Sequence, residues 1–399
     1  MRLLKLLRLN LCFIALSSSV VSTGWADSFQ DWKNQQQSGF VQVKDEFEQY
    51  RAEIDAAFKE YQRKTAAVWG RDNAVPNGKR WVSYIDKLNQ RSVVDFEKGV
   101  IDVELALPLS ENVDDEQAKK QLEQALLKAM KQGDDKRPMQ QVAKQPVSQP
   151  SGKDVLAGQI SLPDGAVANQ GDYKKLAQAA VAGATKTTLK GDDGKSRVVY
   201  QTQLKLVPDH IRVRAVKFAP LVNKYSARYQ VPAEVVYAVI ETESMFNPTA
   251  RSGAPAFGLM QLVPTSGARD AYRYVYKKDK VVSDTYLYNP DNNVHLGAAY
   301  IRRLNQDYLG GIKDDESRML ATIAAYNTGA GNVFRAFVGS SYSLSQYRKY
   351  NDYKQAAFHE INKRSSDQVY QHLRSNLPHA ETRRYIKKVT ERIDKYSHS

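Results

Sequence analysis

The chain of 399 residues has one cysteine, Cys12. A single thiol permits neither an intramolecular disulfide framework nor a zinc–thiolate site. None of the six histidines sits in an HExxH pattern, and no glycine-rich loop leads into a phosphate-binding lysine. Neither a metal nor a nucleotide cofactor is expected. A Gly-x-Ser-x-Gly nucleophile elbow is also missing. The apolar run near the N-terminus, Leu9 to Val21, falls short of the ~20 residues that cross a bilayer as a helix. With 42% hydrophobic and 26% charged residues, the chain reads as an ordinary globular protein of about two domains.

Arg2, Lys5 and Arg8 precede that apolar run, and Gly24-Trp25-Ala26 follows it. A charged segment, a short apolar segment and a small-x-small site read as a secretory signal over 1–26, cut after Ala26. Cys12 lies inside the apolar run rather than behind small residues at its end, so a lipid anchor is not expected. The mature chain is expected to be exported and periplasmic. The whole chain has a formal net charge of +14, of which the signal segment carries +3; the remaining +11 is unevenly placed, since residues 27–209 carry 27 basic and 27 acidic side chains and residues 210–399 carry 28 and 17. A basic half attracts a polyanion. Export removes nucleic acid from that set and leaves anionic lipid or an acidic wall polymer.

Apolar residues spaced by three and four (Phe40, Val43, Phe47, Tyr50, Ile54, Phe58, Tyr61) predict a long amphipathic helix at the start of the mature chain. Trp81–Ile85, Ser92–Phe96 and Val100–Leu105 read as strands, the last two joined by a Lys98-Gly99 turn. Glu116–Met130 reads as a helix, 132–153 as a loop or linker, and Asp154–Leu162 and Arg197–Val207 as two more strands. An α+β domain over 27–207 is therefore expected to close near Val207-Pro208. From 208 to 399 the periodicity is helical: His210–Tyr229, Pro232–Ser244, Phe257–Tyr276, Pro290–Tyr308, Glu316–Asn327, Gly331–Phe337, Ser366–Leu373 and Ala380–Tyr396.

On the helix opened by Pro232, Val236, Val239, Ile240 and Glu243 share one stripe at 100° per residue, whereas Glu241 points about 160° away. Glu241 is thus expected in solvent and Glu243 on the core-facing side. Desolvation and the adjacent helix C-terminus both disfavour the ionised form of Glu243. A carboxyl so placed stays protonated near neutral pH, as a general acid must.

Glu243 opens the string Glu243-Ser244-Met245-Phe246-Asn247-Pro248, which is followed by Ser252-Gly253-Ala254-Pro255-Ala256-Phe257-Gly258-Leu259-Met260-Gln261. Ala325-Tyr326-Asn327-Thr328-Gly329-Ala330-Gly331 and Glu381-Thr382-Arg383-Arg384-Tyr385 come later. Four such motifs in this order resemble the lysozyme-like SLT domain of the family-one lytic murein transglycosylases, over about 210–395. The preceding segment, including Gly158-Gln159-Ile160, resembles the N-terminal domain of the membrane-bound murein transglycosylase C type. The resemblance implies an α+β N-terminal domain followed by an all-α lysozyme-like catalytic domain.

It also implies a reaction: scission of the MurNAc–GlcNAc β-1,4 bond of peptidoglycan with closure of a 1,6-anhydro ring, Glu243 serving as acid and then as base. By the same resemblance Asn327 binds the acetamido sugar, Tyr326 walls the cleft, and Tyr385 brings its hydroxyl to Glu243. Met260 and Gln261 would face the cleft, although residue pattern alone reads Met260 as core. Ser252 is either a substrate contact or a cap of the next helix, and Asn327 is either a ligand or a helix C-cap. Glu381 would be a structural acid paired with a base. The implied partners are peptidoglycan strands and the wall synthesis or division machinery. The implied outer-membrane association finds no lipobox here. Two rival readings stay open, a goose-type muramidase that uses water and a non-catalytic wall-binding protein. Asp270, Asp279 and Asp284 are the candidate second carboxylates for the muramidase.

Overall fold

The computed structural model describes residues 48–49, 52–53, 55–109, 114–131, 155–252, 256–339 and 350–397. The expected signal segment and the 132–153 linker lie outside them. Residues 51–399 form one compact unit; of residues 1–50 only Glu48 and Gln49 are described, both helical.

After a helix α1 over 55–69, an antiparallel sheet of order β1-β2-β3-β5-β4 is built from β1 (Arg80–Ile85), β2 (Gln90–Asp95), β3 (Val100–Pro108), β4 (Thr185–Lys190) and β5 (Ser196–Lys205). Period-two alternation gives the sheet two different faces. Trp81, Val94, Ile101 and Leu204 pair across four strands as one apolar rung. Helices α2 (Asp115–Met130) and α3 (Tyr173–Ala182) cover that face, inserting Leu122, Leu126, Met130 and Leu176. On the opposite face α1 lays Tyr61 and Trp69 over Val82, Tyr84 and Val93.

The three-stranded meander and β5 agree with the sequence reading to within a few residues. The strand expected over 154–162 does not form. Residues 155–159 are turns, and only isolated bridges join Ile160 to Leu206 and Ser161 to Val167. Gln159, buried there, instead donates its side-chain amide to the Val155 carbonyl and accepts from the Val207 amide. Helix α3 and edge strand β4 were not anticipated. In α3 the buried apolar positions are only Tyr173, Leu176, Ala177 and Val181, too sparse a stripe to stand out from its flanks.

The second half is helical: α4 (His210–Tyr229), α5 (Ala233–Ser244), α6 (Gly267–Tyr276), α7 (Asp284–Tyr288), α8 (Pro290–Arg303) running on through a wider turn at Leu304–Tyr308, α9 (Asp315–Thr328), α10 (Ala330–Val338), α11 (Tyr350–Asn362), α12 (Ser366–Asn376) and α13 (Ala380–Ser397). Helices α7 and α11 were not expected. Helix α5 is central, packed along α13 on one side and α4 on the other. The helix expected from Phe257 begins only at Gly267. Before it, Phe257 bridges Arg251 and Leu262, and Gly258 takes φ +77°. A Cβ at Gly258 would lie 2.3 Å from the Leu287 carbonyl oxygen, so the close approach of two backbones breaks the helical register.

The seam between the two halves is a shared core. Met245, just past α5, belongs to the same buried cluster as the sheet residues Phe96, Leu204 and Leu206, and Ile211 of α4 packs against it. The boundary near Pro208 is a change of secondary structure inside one compact unit.

Candidate active site

Helix α5 ends without glycine. Met245 (φ 49°) and Phe246 (φ 58°) both sit in the left-handed region, a conformation that costs such residues about 1–3 kcal/mol each. The turn is held by Arg214 of α4, which is buried and donates to the Met245 carbonyl at 2.8 Å, the Phe246 carbonyl at 2.7 Å and the Gln159 side chain at 3.1 Å. Its guanidinium lies 3.6 Å from the Phe96 ring centroid. Burial alone lowers its pKa to about 9, so it stays charged at neutral pH. A cation at a helix C-terminus also complements the macrodipole.

Glu243 thus projects from the last turn of a helix whose end is fixed. Burial pushes its carboxyl up to about 7, the nearby Glu381 adds to that rise, and the Tyr385 hydroxyl opposes it. The residue keeps a little surface, as a group that must meet substrate requires. Tyr385 is buried on α13, and its hydroxyl stands beside Glu243 but stops short of a regular hydrogen bond. Tyr326, near the end of α9, is raised well above the ordinary tyrosine range by burial and by Glu243 beside it. Three of the expected residues, Glu243, Tyr326 and Tyr385, therefore come together from α5, α9 and α13.

The loop before α6 is tied to the same place. Ser244 Oγ donates to the Leu259 carbonyl at 2.7 Å, and the Tyr326 hydroxyl donates to the Met260 carbonyl at 2.7 Å. Asn293, wholly buried on α8, accepts from the Met260 amide and donates to the Phe257 and Leu287 carbonyls, all at 2.8 Å. Asn293 and Arg214 are the residues that sequence reasoning missed here, while Ser244 stood in the Glu243-Ser244 motif without being given a role. For Asn293 the available signal was an amide inside a helix pattern.

The remaining expected positions divide. The Met260 side chain is completely buried, which corrects the expectation that it faces the cleft; its backbone is what the site uses. Gln261 (φ 45°) donates its amide to the Ala250 and Gly258 carbonyls at 3.0 and 2.9 Å. Ser252 lies in this loop, half-buried, with its amide donating to the Ala256 carbonyl. It does not cap the next helix, because that helix starts at Gly267 after Ser266. Asn327 is exposed on α9, accepts from the Thr382 hydroxyl at 2.7 Å, and is not the C-cap, which is Gly329. Glu381 is exposed and has no ion-pair partner among the described residues, so its expected pairing with a base is not seen.

Glu241 overturns a second expectation. It is buried, not solvated, and accepts from Arg392 (3.1 Å), Lys395 (2.9 Å) and Tyr396 (2.5 Å) of α13. Glu241 thereby anchors the helix that carries Tyr385 against the helix that carries Glu243. Asp279 is occupied by Arg269 and Arg273, and Asp270 by Arg303 and the Tyr308 hydroxyl. Asp284, buried at the start of α7, accepts from the Thr285 amide.

The sheet half reaches this site as well. A Cβ on Gly78 would lie 2.7 Å from the Glu243 carbonyl oxygen and 3.9 Å from the Gln261 side-chain oxygen. Gly78→Ala is expected to displace the Glu243 turn and lower kcat at least about tenfold, since misplacement by ~1 Å costs up to about a hundredfold. Steady-state kinetics with circular dichroism as the fold control checks it.

Residues 42–217 match the N-terminal domain of membrane-bound lytic murein transglycosylase C, and residues 220–347 match the transglycosylase SLT domain. Membrane-bound lytic murein transglycosylase C from Klebsiella pneumoniae subsp. pneumoniae is 34% identical over 340 residues, 84% of this chain and 87% of the relative. The protein of that name from Salmonella arizonae is 33% identical over the same shares. Among solved structures, the 70 kDa soluble lytic transglycosylase of Escherichia coli is 22% identical with a TM-score of 0.34, covering 45% of this chain and 24% of that one. The chain belongs to the lytic murein transglycosylase family, of the membrane-bound C type.

Proposed function

We propose that this lytic transglycosylase cleaves the MurNAc–GlcNAc β-1,4 bond of peptidoglycan through Glu243 alone, as acid and then as base. The observation that carries the reading is one carboxyl, raised to about 7, flanked by two tyrosine hydroxyls. Protonated Glu243 donates to the glycosidic oxygen as that bond breaks. The resulting carboxylate then takes the proton of the muramic acid C6 hydroxyl, whose oxygen closes on C1. No water enters, and Glu243 regains its proton. Hydrolases of either stereochemistry need a second, well-placed carboxylate. Of the acids that the muramidase reading would recruit, Asp270 and Asp279 are held by arginines and Asp284 is buried at the start of α7, accepting from the Thr285 amide, while Glu241 is spent on α13.

Asn327, Gln261 and Ser252 are the sugar-contacting groups of this reading, in keeping with their motifs. Glu381, exposed near Glu243, helps to keep it protonated. Placement in the cell envelope is supported by the signal-like N-terminus and by the printed name of the relatives. No helix among the described residues is long and apolar enough to cross a membrane. An association with wall synthesis or division machinery remains part of the proposal through the family alone.

Mass spectrometry of the products released from purified peptidoglycan tests the reaction. Anhydro products, one water lighter than reducing ends, are the expected result; reducing ends favour the muramidase, and binding without products favours a wall-binding protein. Because the reaction starts from protonated Glu243, kcat/KM is expected to fall as pH rises through about 7. A pH–rate profile on a soluble glycan, with the descending limb near 7 rather than near an ordinary glutamate value, checks this.

A further inference from the structure

Eighteen of the 23 tyrosines follow residue 209, and the catalytic centre uses only two of them. Many of the others form one cluster between α4, α6, α7 and α8, in which Tyr225, Tyr229 and His295 are buried beneath half-buried Tyr272, Tyr274 and Tyr286. From His295, ring contacts lead to Tyr225 at 4.5 Å, to Tyr229 at 5.7 Å and to Tyr276 at 6.0 Å. Tyr276 in turn packs on Tyr272 at 4.5 Å, and Tyr272 on Tyr286 at 6.4 Å. Tyr276 is 40% exposed.

Cations surround this cluster. Lys277 lies 5.0 Å from the Tyr274 ring centroid, Lys280 6.0 Å from Tyr272 and Arg228 5.6 Å from Tyr229. Among the described residues, Arg228, Lys277, Lys278 and Lys280 have no carboxylate at ion-pair distance, since Asp279 is taken by Arg269 and Arg273 and Asp291 by Lys224. The basic excess of the second half therefore has a site on the surface, and that site carries aromatic rings.

We propose that this tyrosine–lysine face is a second holding surface for the peptidoglycan strand, remote from the bond being cut. The inference rests on the peptidoglycan reading above. Peptidoglycan brings carboxylates on its lactyl and peptide groups, which complement unpaired ammonium groups. Its sugars present flat C–H faces and hydroxyls that suit rings with one apolar body and one polar tip. A lipid surface is the poorer complement: interfacial binding depends on apolar side chains entering the acyl boundary, and Tyr276 is the only large exposed hydrophobic residue on this face among the described residues.

Position points the same way. Helix α6 also lends Arg269 and Arg273 to a cavity of about 310 Å³ lined by Ser266, Tyr300 and Tyr308. Tyr300 packs on Tyr326 at 5.5 Å, and Tyr326 stands next to Glu243. Side-chain contacts thus lead from the reacting centre to α6, and the exposed face continues on the same helix. A strand held at both places stays attached between cuts.

The test separates holding from cutting. On a Glu243→Gln background, the triple change Lys277→Gln, Lys278→Gln, Lys280→Gln and, separately, Tyr276→Ala are assayed by co-sedimentation with purified sacculi at about 50 and 300 mM salt. The triple variant is expected to bind at least about tenfold more weakly at low salt, given that each lysine facing an anionic surface contributes about a factor of five. Tyr276→Ala is expected to weaken binding at both salt concentrations. On the active background, kcat and KM for a short soluble muropeptide should stay within about twofold of the parent. Unchanged sacculus binding overturns the proposal, as does an equal loss on the short substrate, which would put the face inside the cutting site. Loss confined to anionic phospholipid vesicles assigns it to a membrane instead. If the parent releases no anhydro products while the triple variant still loses sacculus binding, the reaction reading fails and the holding surface stands.

Discussion

Glu243→Gln is expected to fold normally and to lose anhydro-muropeptide release by at least about a thousandfold. General acid–base catalysis by one positioned group contributes about 10²–10⁴-fold, and here one carboxyl serves both proton transfers. Glutamine keeps the volume and hydrogen-bonding reach but neither donates nor accepts a proton at the relevant pH. Product analysis of parent and variant on the same sacculi decides it: near-normal activity removes Glu243 from the mechanism. The same variant carries a stability signature. Glu243 titrates at about 7 in the fold and near the ordinary 4.3 when unfolded, so the folded state holds its proton more tightly. Ionisation then penalises the fold increasingly from about pH 4.3 and fully above about 7. Glu243→Gln should therefore raise Tm at pH 8 and change it little at pH 4.

Arg214→Ala is expected to destabilise the fold by about 3–5 kcal/mol, measurable as a lower urea midpoint. The change leaves the Met245 and Phe246 carbonyls and the Gln159 side chain without their donor, and each such loss costs about 1–3 kcal/mol. It also opens a cavity against Phe96, and the left-handed turn loses what holds it. Arg214→Met, which refills much of the volume, should recover part of the stability without restoring the turn. Activity of that variant should stay well below the parent's at temperatures where both are folded. An Arg214→Ala protein with the parent's midpoint would show that the turn holds itself.

Helix α4 was legible to the residue because its apolar spacing is regular over 20 residues. The placement of Glu243 was legible too, since Val236, Val239 and Ile240 define a stripe and Glu243 falls on it. The fate of Glu241 was not, because the three groups that bury it lie more than 150 residues away. Helical periodicity says which way a side chain points; it does not say whether another helix is waiting there. The segment 257–266 failed for a related reason. Phe257, Leu259, Met260 and Leu262 are all buried, and a run of buried apolar residues looks helical until Gly258 meets the Leu287 backbone. The 154–162 segment shows the converse: Gln159, a polar residue in an apolar stretch, serves a buried guanidinium rather than a strand ladder.

Gly78 touching the Glu243 carbonyl and Met245 lying in the sheet's core have a consequence for how this chain can be cut and recombined. Pro208 looks like the natural place to join a new helical half to an old sheet half. Any such chimaera places a foreign turn beside Gly78, opposite Phe96 and under Gln159. The two halves are therefore not interchangeable parts, because a substitution on one side of the seam changes what the other side packs against. A helical half taken alone from His210 onward would keep every motif of the reaction and still lack the surface against which its acid is set.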